Sequence, residues 1–137
     1  MDFLKYINPG IESIDTYEAG KSIEEVMEKY NLEDIVKLAS NENNSGPSPR
    51  ALKVIKYFKD LHIYPDGDAI KLKTKISEVE NIDSEQIIIG NGSNEILEII
   101  SQTFLSSNTE SIFSKHAFVV YKLVSKVRGS KFHEIDT

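Results

Sequence analysis

A glycine turn between an apolar run and a helix is the part of this chain best suited to bind a ligand. Ile87-Ile88-Ile89 is followed by Gly90-Asn91-Gly92-Ser93-Asn94-Glu95 and then by an amphipathic helical pattern. Glycines let a ligand approach the main chain closely, and we place Ser93 at the N-cap of the helix. The free N–H groups of the first turn and the positive end of the helix dipole favour an anion. The pattern is therefore suited to hold a phosphate at Ser93 and Asn94.

The glycines of this turn do not by themselves require a ligand. Glycine at a strand-to-helix turn often serves a steric need alone, and that alternative stays open. The dinucleotide fingerprint requires a third glycine where Glu95 stands, and the P-loop requires a Gly-Lys-Ser/Thr ending that the chain lacks. The turn alone therefore does not identify the ligand.

Composition narrows the class of protein. The 137 residues, 39% hydrophobic and 28% charged, are typical of one globular domain. The net charge of −6 is spread along the chain, so no nucleic-acid partner is expected. The absence of cysteine excludes disulfides, thiolate zinc sites and cysteine catalysis. The three histidines, His62, His116 and His133, are far apart, so we predict no metal site.

The first ten residues contain no long hydrophobic run. We therefore expect neither a signal peptide nor a membrane span, and the expected location is the cytoplasm.

Helices and strands are predicted to alternate. Capping patterns and 3.6-residue periodicity predict helices over residues 22–31, from 48 to before 64, 70–81 and 118–127, and short apolar runs predict strands at 35–38, 86–89, 111–113 and 131–135. The three isoleucines indicate a strand buried on both faces, as in a sheet covered by helices.

This alternation predicts an α/β fold. Sheets of that class usually have about five or six strands, whereas the chain offers about three or four. We therefore expect an incomplete α/β fold, with residues 1–35 forming an N-terminal arm and short helix and residues 36–137 the first part of a larger domain.

Four motifs occur in order along the chain, and a fifth follows them. They are Tyr17-Glu18-Ala19-Gly20-Lys21, Leu38-Ala39-Ser40-Asn41-Glu42-Asn43-Asn44-Ser45-Gly46-Pro47-Ser48-Pro49, Tyr64-Pro65-Asp66-Gly67, the glycine turn and Ala117-Phe118-Val119-Val120-Tyr121. Together they closely resemble histidinol-phosphate aminotransferase. The resemblance implies the start of the three-layer large domain of an aspartate-aminotransferase-like fold. It also implies a homodimer that uses pyridoxal 5′-phosphate to transfer an amino group between histidinol phosphate and 2-oxoglutarate.

The resemblance also assigns roles to single residues. Gly92, Ser93 and Asn94 would hold the cofactor phosphate, and Phe118 would stack on the pyridine ring. Tyr64 would reach the cofactor phosphate of the partner subunit, while Tyr17 and Asn43 would border the substrate. Two departures from the family pattern, Asn44 and Ala19 where proline is usual, should loosen their loops without removing chemistry.

No catalytic residue is assigned in this chain. The lysine that carries the cofactor lies further along in the family, and none of Lys115, Lys122, Lys126 and Lys131 matches its motif. We therefore expect the 137 residues to be inactive alone.

Two kinds of alternative stay open. The parent could be a related aminotransferase, such as one for aromatic substrates, or a threonine-phosphate decarboxylase. The chain could also be a non-catalytic product that binds a partner or itself through an exposed sheet edge.

Overall fold

The fold comes from a computed structural model that describes residues 3–8, 10–16, 20–38 and 40–137. The chain divides into two compact units, one formed by Met1–Asp15 with Asp66–Thr137 and the other by Thr16–Pro65.

The Thr16–Pro65 unit contains helices α1 (Ile23–Tyr30) and α2 (Pro49–Tyr57). Ser22 caps α1, with its Oγ accepting a hydrogen bond from the Glu25 N–H at 3.1 Å. The Glu25 carboxylate lies 3.1 Å from Lys21 Nζ. Asn31 ends the helix in the left-handed conformation, with a φ of 50°. The predicted helix over residues 22–31 is confirmed.

The predicted strand at residues 35–38 is wrong. This segment has no assigned secondary structure, and Val36 and Leu38 are exposed. A strand needs a neighbour to pair with its main-chain groups, and within the described part of the chain this segment has none. Helix α2 starts at Pro49 as predicted but stops at Tyr57, sooner than the apolar pattern suggested.

The larger unit begins its regular structure at α3 (Ile70–Glu80). Asp66 orders the turn before α3, because its carboxylate accepts hydrogen bonds from the N–H groups of Asp68 (3.1 Å) and Ile70 (3.0 Å). The helix ends at Asn81, which again has a left-handed φ of 53°. This confirms the predicted helix.

The centre of the larger unit is a parallel strand–helix–strand unit. It consists of β1 (Glu110–Ser114), α5 (Val120–Val127) and β2 (Lys131–Ile135), preceded by α4 (Ser93–Phe104). The strands pair from Glu110 opposite Lys131 to Ser114 opposite Ile135. The two predicted strands are confirmed, and α5 begins two residues later than predicted.

One face of this sheet is covered and the other is open. Phe113 stacks on Phe132 at 5.6 Å between ring centroids and contacts Tyr121 of α5 at 6.0 Å. Because side chains alternate along a strand, Ile112 points to the opposite face, where it is 73% exposed.

The predicted strand at residues 86–89 is also wrong. Ser84–Gln86 form a 3-10 turn with a capping box at Asp83. The following segment has no assigned secondary structure and joins neither strand of the described two-stranded sheet. Ile88 is 67% exposed, so the expected burial on both faces does not occur in this chain.

The side chains most fully buried within the described residues are serines, not apolar residues. They are Ser101, Ser125 and Ser130. The Ser125 Oγ lies 2.8 Å from the Ser111 Oγ and 2.8 Å from the carbonyl oxygen of Tyr121, so it ties α5 to β1. Polar groups of this kind remain stable in the interior because they are hydrogen-bonded.

The N-terminal segment packs on the C-terminal end of α5. Lys126 Nζ donates to the carbonyl oxygen of Ser13. A Cβ on Gly10 would overlap with the carbonyl oxygen of Lys126, so only glycine fits this contact. None of the helices in the described ranges is both long and apolar enough to cross a membrane.

Candidate functional site

The glycine turn leads directly into α4, as the sequence indicated, with one difference in register. Gly92 occupies the N-cap with a φ of +88° and a ψ of 172°, a conformation that side chains resist. Ser93 is therefore the first residue of the helix and not its N-cap. Asn94 is the second.

The start of α4 offers free donors. Among the described residues, no acceptor is paired with the main-chain N–H groups of Ser93 and Asn94. A Cβ built on Gly92 would meet no atom of the described residues within 4 Å, so these residues leave the space beside the turn open. Unpaired N–H groups at the positive end of a twelve-residue helix form a favourable environment for an anion.

Glu95 holds the turn from within the helix. Its Oε2 accepts a hydrogen bond from the Asn91 N–H at 2.6 Å, and Asn91 Nδ2 donates to Oε1 and Oε2 at 3.2 and 3.3 Å. The hydrogen bond from the Asn91 main chain, followed by that from its side chain, lowers the pKa of Glu95. This role of Glu95 was not predicted from the sequence, although a glutamate three residues after an N-cap is a known capping signal.

Helices α4 and α5 bring two of the predicted residues to the same end of the unit. Asn94, near the start of α4, and Val120, the first residue of α5, line one cavity of about 400 Å³. Phe118 lies two residues before Val120 and is 54% exposed. In the chain, Phe118 comes shortly after Ser114, the last residue of β1. The carboxyl ends of parallel strands are the edge at which α/β proteins commonly bind ligands.

Two other predicted site residues, Tyr64 and Asn43, belong to the Thr16–Pro65 unit. Tyr64 is 97% exposed. Asn43 uses its side chain to shape its loop: Nδ2 donates to the carbonyl oxygen of Gly46 at 2.8 Å, and Oδ1 accepts from the Ser45 N–H at 3.1 Å. Tyr17 lies outside the described residues.

These features fit a phosphate-bearing cofactor with an aromatic ring. The turn supplies open space beside Gly92 and unpaired donors at Ser93 and Asn94. The exposed ring of Phe118 supplies a flat apolar surface. In the part of the chain that the structure describes, no group of three or more acidic or histidine side chains could hold a metal ion.

Comparison with known proteins identifies the same enzyme repeatedly. The chain is 43% identical over 136 residues to histidinol-phosphate aminotransferase 1 of Mannheimia succiniciproducens, which covers 98% of this chain and 37% of the relative. It is 43% identical over 129 residues to the enzyme of the same name from Idiomarina loihiensis, covering 93% of this chain and 35% of the relative. The resemblance predicted from the sequence is confirmed. No family model matches the chain.

A comparison of folds gives the same enzyme as the comparison of sequences. The crystal structure of histidinol-phosphate aminotransferase from Sinorhizobium meliloti in complex with pyridoxal 5′-phosphate matches with a TM-score of 0.77 at 18% identity. The match covers 95% of this chain and 34% of that structure. The predicted incomplete α/β fold is therefore confirmed, and the chain spans about one third of the length of the relatives it matches, in their N-terminal part.

Proposed function

We propose that this chain forms the N-terminal portion of a pyridoxal-phosphate-dependent aminotransferase that acts on histidinol phosphate and 2-oxoglutarate. The observation that carries the proposal is 43% identity over 98% of the chain to a histidinol-phosphate aminotransferase. The unpaired N–H groups of Ser93 and Asn94 at the start of α4 support it, because they suit the phosphate of the cofactor.

Each proposed binding residue has a physical task. Gly92 keeps side-chain atoms away from the phosphate, while Ser93 and Asn94 donate main-chain hydrogen bonds to it. Phe118 orients the ring by stacking. When bound, pyridoxal phosphate supplies the electron sink for amino transfer. None of Lys115, Lys122, Lys126 and Lys131 matches the motif of the lysine that carries the cofactor, so the chain alone is proposed to be inactive.

The remaining assignments concern the complete enzyme. We propose a homodimer in which the exposed Tyr64 donates its hydroxyl to the phosphate bound by the partner subunit. Tyr17 and Asn43 are proposed to border the substrate. We also propose residues 1–35 as arm and short helix, residues 36–137 as the first part of the large domain, and the cytoplasm as the location.

Binding can be tested on the chain itself. Pyridoxamine 5′-phosphate is the appropriate probe, because it has no aldehyde and cannot react with surface lysines. In an NMR titration of the full chain, we expect the amide signals of Ser93 and Asn94 to shift with this probe. Pyridoxamine without the phosphate should leave them unchanged. If the two probes give the same result, the phosphate site is wrong.

A charge substitution separates binding from folding. Ser93→Asp places a carboxylate at the first residue of α4, where it favours the helix dipole but repels a phosphate. We expect this variant to fold as stably as the original chain and to bind pyridoxamine 5′-phosphate at least tenfold more weakly. Ser22→Asp adds the same charge at the N-cap of α1 and should bind normally. Equal affinity of the two variants would contradict the proposal.

A second candidate function is self-association without catalysis. The open sheet face, with Ile112 73% exposed and Ile135 also exposed, favours it. Sedimentation velocity over a hundredfold range of concentration separates the two candidates. A monomer that binds the probe supports the cofactor site, whereas a dimer that does not bind it supports the association module. A related aminotransferase or a threonine-phosphate decarboxylase remains the alternative parent.

A further inference from the structure

We propose that Glu95 is a positioning residue for the cofactor phosphate, which it serves by fixing the conformation of the Gly90–Gly92 turn. This inference rests on the proposed cofactor site. It adds a residue to that site that does not touch the phosphate and acts through the main chain of Asn91.

The contacts of Glu95 carry the proposal. Both of its carboxylate oxygens accept hydrogen bonds from Asn91, and the shortest, at 2.6 Å, comes from the main-chain N–H. The turn is therefore tied to the first turn of α4 by a charged acceptor, which makes stronger hydrogen bonds than a neutral one. Without this tie, two glycines in three residues would leave the turn many conformations.

The same contacts keep the carboxylate away from the donors needed by a phosphate. A carboxylate in the first turn of a helix can compete for the N–H groups there. In this structure the oxygens of Glu95 are committed to Asn91, and the N–H groups of Ser93 and Asn94 have no partner among the described residues. The negative charge is thus used to shape the turn.

Gly90 supplies an independent observation. A Cβ at this position would lie 2.9 Å from Glu95 Oε2 and 2.7 Å from Ile96 Cδ1. Its φ lies outside the left-handed region, so its main chain alone does not require glycine. The lack of a side chain at Gly90 therefore leaves room over the turn for both the Ile96 side chain and the Glu95 carboxylate.

Three variants of Glu95 separate the reach of the side chain from its charge. Glu95→Gln keeps the length and an acceptor oxygen, Glu95→Asp keeps the charge but is one methylene shorter, and Glu95→Ala has neither. We expect amide hydrogen exchange at Asn91 to become roughly tenfold faster in the Asp and Ala variants, as for the loss of one hydrogen bond to a charged group. Glu95→Gln should restore most of the protection.

Affinity for pyridoxamine 5′-phosphate should follow the same order. We expect binding about tenfold weaker in Glu95→Asp and Glu95→Ala, and within about threefold of the original chain in Glu95→Gln. The Lys115 amide, which donates to the Ile135 carbonyl oxygen at 2.9 Å in the same unit, is the internal reference for folding. Its exchange should be unchanged in all three variants.

Gly90→Ala tests the same contact without changing Glu95. Its methyl group should displace the Glu95 carboxylate, so we expect the fast exchange at Asn91 and the weak binding of pyridoxamine 5′-phosphate that Glu95→Ala shows. Gly67→Ala is the matched control, because a Cβ there would meet no atom within 4 Å in the part of the chain that the structure describes.

The outcomes distinguish this inference from the proposed function. Unchanged exchange at Asn91 in Glu95→Ala would overturn the role of Glu95 alone. Faster exchange at Asn91 in a chain whose unsubstituted form does not bind the probe would overturn the cofactor site and, with it, the positioning role. Tight binding by Glu95→Asp despite fast exchange at Asn91 would show that the charge, and not the held turn, matters.

Discussion

At the scale of single residues, Ser22 and Ser48 are both helix N-cap residues but make different contacts. Ser22 Oγ accepts a hydrogen bond from the Glu25 N–H at the start of α1, whereas the Ser48 side chain makes no capping bond at the start of α2. We expect Ser22→Ala to lower the free energy of unfolding of its unit by about 1 kcal/mol. Ser48→Ala should have less effect. Urea unfolding followed by circular dichroism measures both, and equal losses would contradict the capping role of Ser22.

The environment of Glu110 leads to a prediction about how the stability of the chain depends on pH. The His133 imidazole lies 2.7 Å from its Oε2, and this hydrogen bond lowers the pKa of Glu110. Lys131 also faces it, at 4.0 Å. A carboxyl whose pKa is lowered by folding stabilises the folded state above its unfolded pKa of about 4.3, and this contribution is lost as the pH falls through the lower folded value.

The variant Glu110→Gln removes this titrating carboxyl and tests its contribution to stability. We expect its melting temperature to be below that of the original chain near pH 6. The difference should shrink as the pH is lowered from 5 towards 3. Because the pair is exposed, the effect should also weaken in high salt. A difference that stayed constant over this pH range would exclude the titration of Glu110 as its cause.

At the scale of elements, local signals predicted some segments well and others poorly. The capping residues Ser22 and Asn31 define α1, and β2 is found at the predicted residues because β1 is present to pair with it. Residues 35–38 and 86–89 have strand-like sequences without a partner strand in the described structure. Strand pairing is a long-range property, so an apolar run shows only the capacity to form a strand.

In the candidate site, too, local features could be predicted from the sequence, whereas individual side-chain contacts could not. The glycine turn and its helix could be predicted, because glycine and helix-start signals are local. A glutamate three residues after the N-cap signals a capping contact, but its partner, the Asn91 N–H, depends on the direction that the Glu95 side chain takes back over the turn. The Asn43 loop is similar: its amide is committed to Ser45 and Gly46, which the composition of the loop did not reveal.

The exposure of the isoleucine segment leads to an element-scale prediction. In a strand buried on both faces, Ile88→Asp would be strongly destabilising. Because Ile88 is 67% exposed here, we expect a change within about 0.5 kcal/mol. Phe113→Ala is the comparison and should cost about 2 kcal/mol or more, since Phe113 contacts Phe132 and Tyr121. A large loss in Ile88→Asp, measured by urea unfolding, would mean that the segment is covered in solution.

At the scale of the whole molecule, this chain leaves much of its surface exposed. Large apolar side chains are exposed in each of the two units, for example Leu61 at 87% and Ile112 at 73%. No apolar residue among those described is fully buried. A large exposed area accords with a chain that spans about one third of the length of its relatives.

This exposure predicts an unusually small heat-capacity change on unfolding. The change arises mainly from apolar surface that becomes hydrated, and compact proteins give about 12–15 cal/mol/K per residue. Here much of that surface is already hydrated in the folded state, so we expect a clearly lower value by scanning calorimetry. A value in the usual range would mean that the apolar faces are covered in solution. If that value fell on dilution, the cover would be a second copy of the chain, because association depends on concentration and intramolecular packing does not.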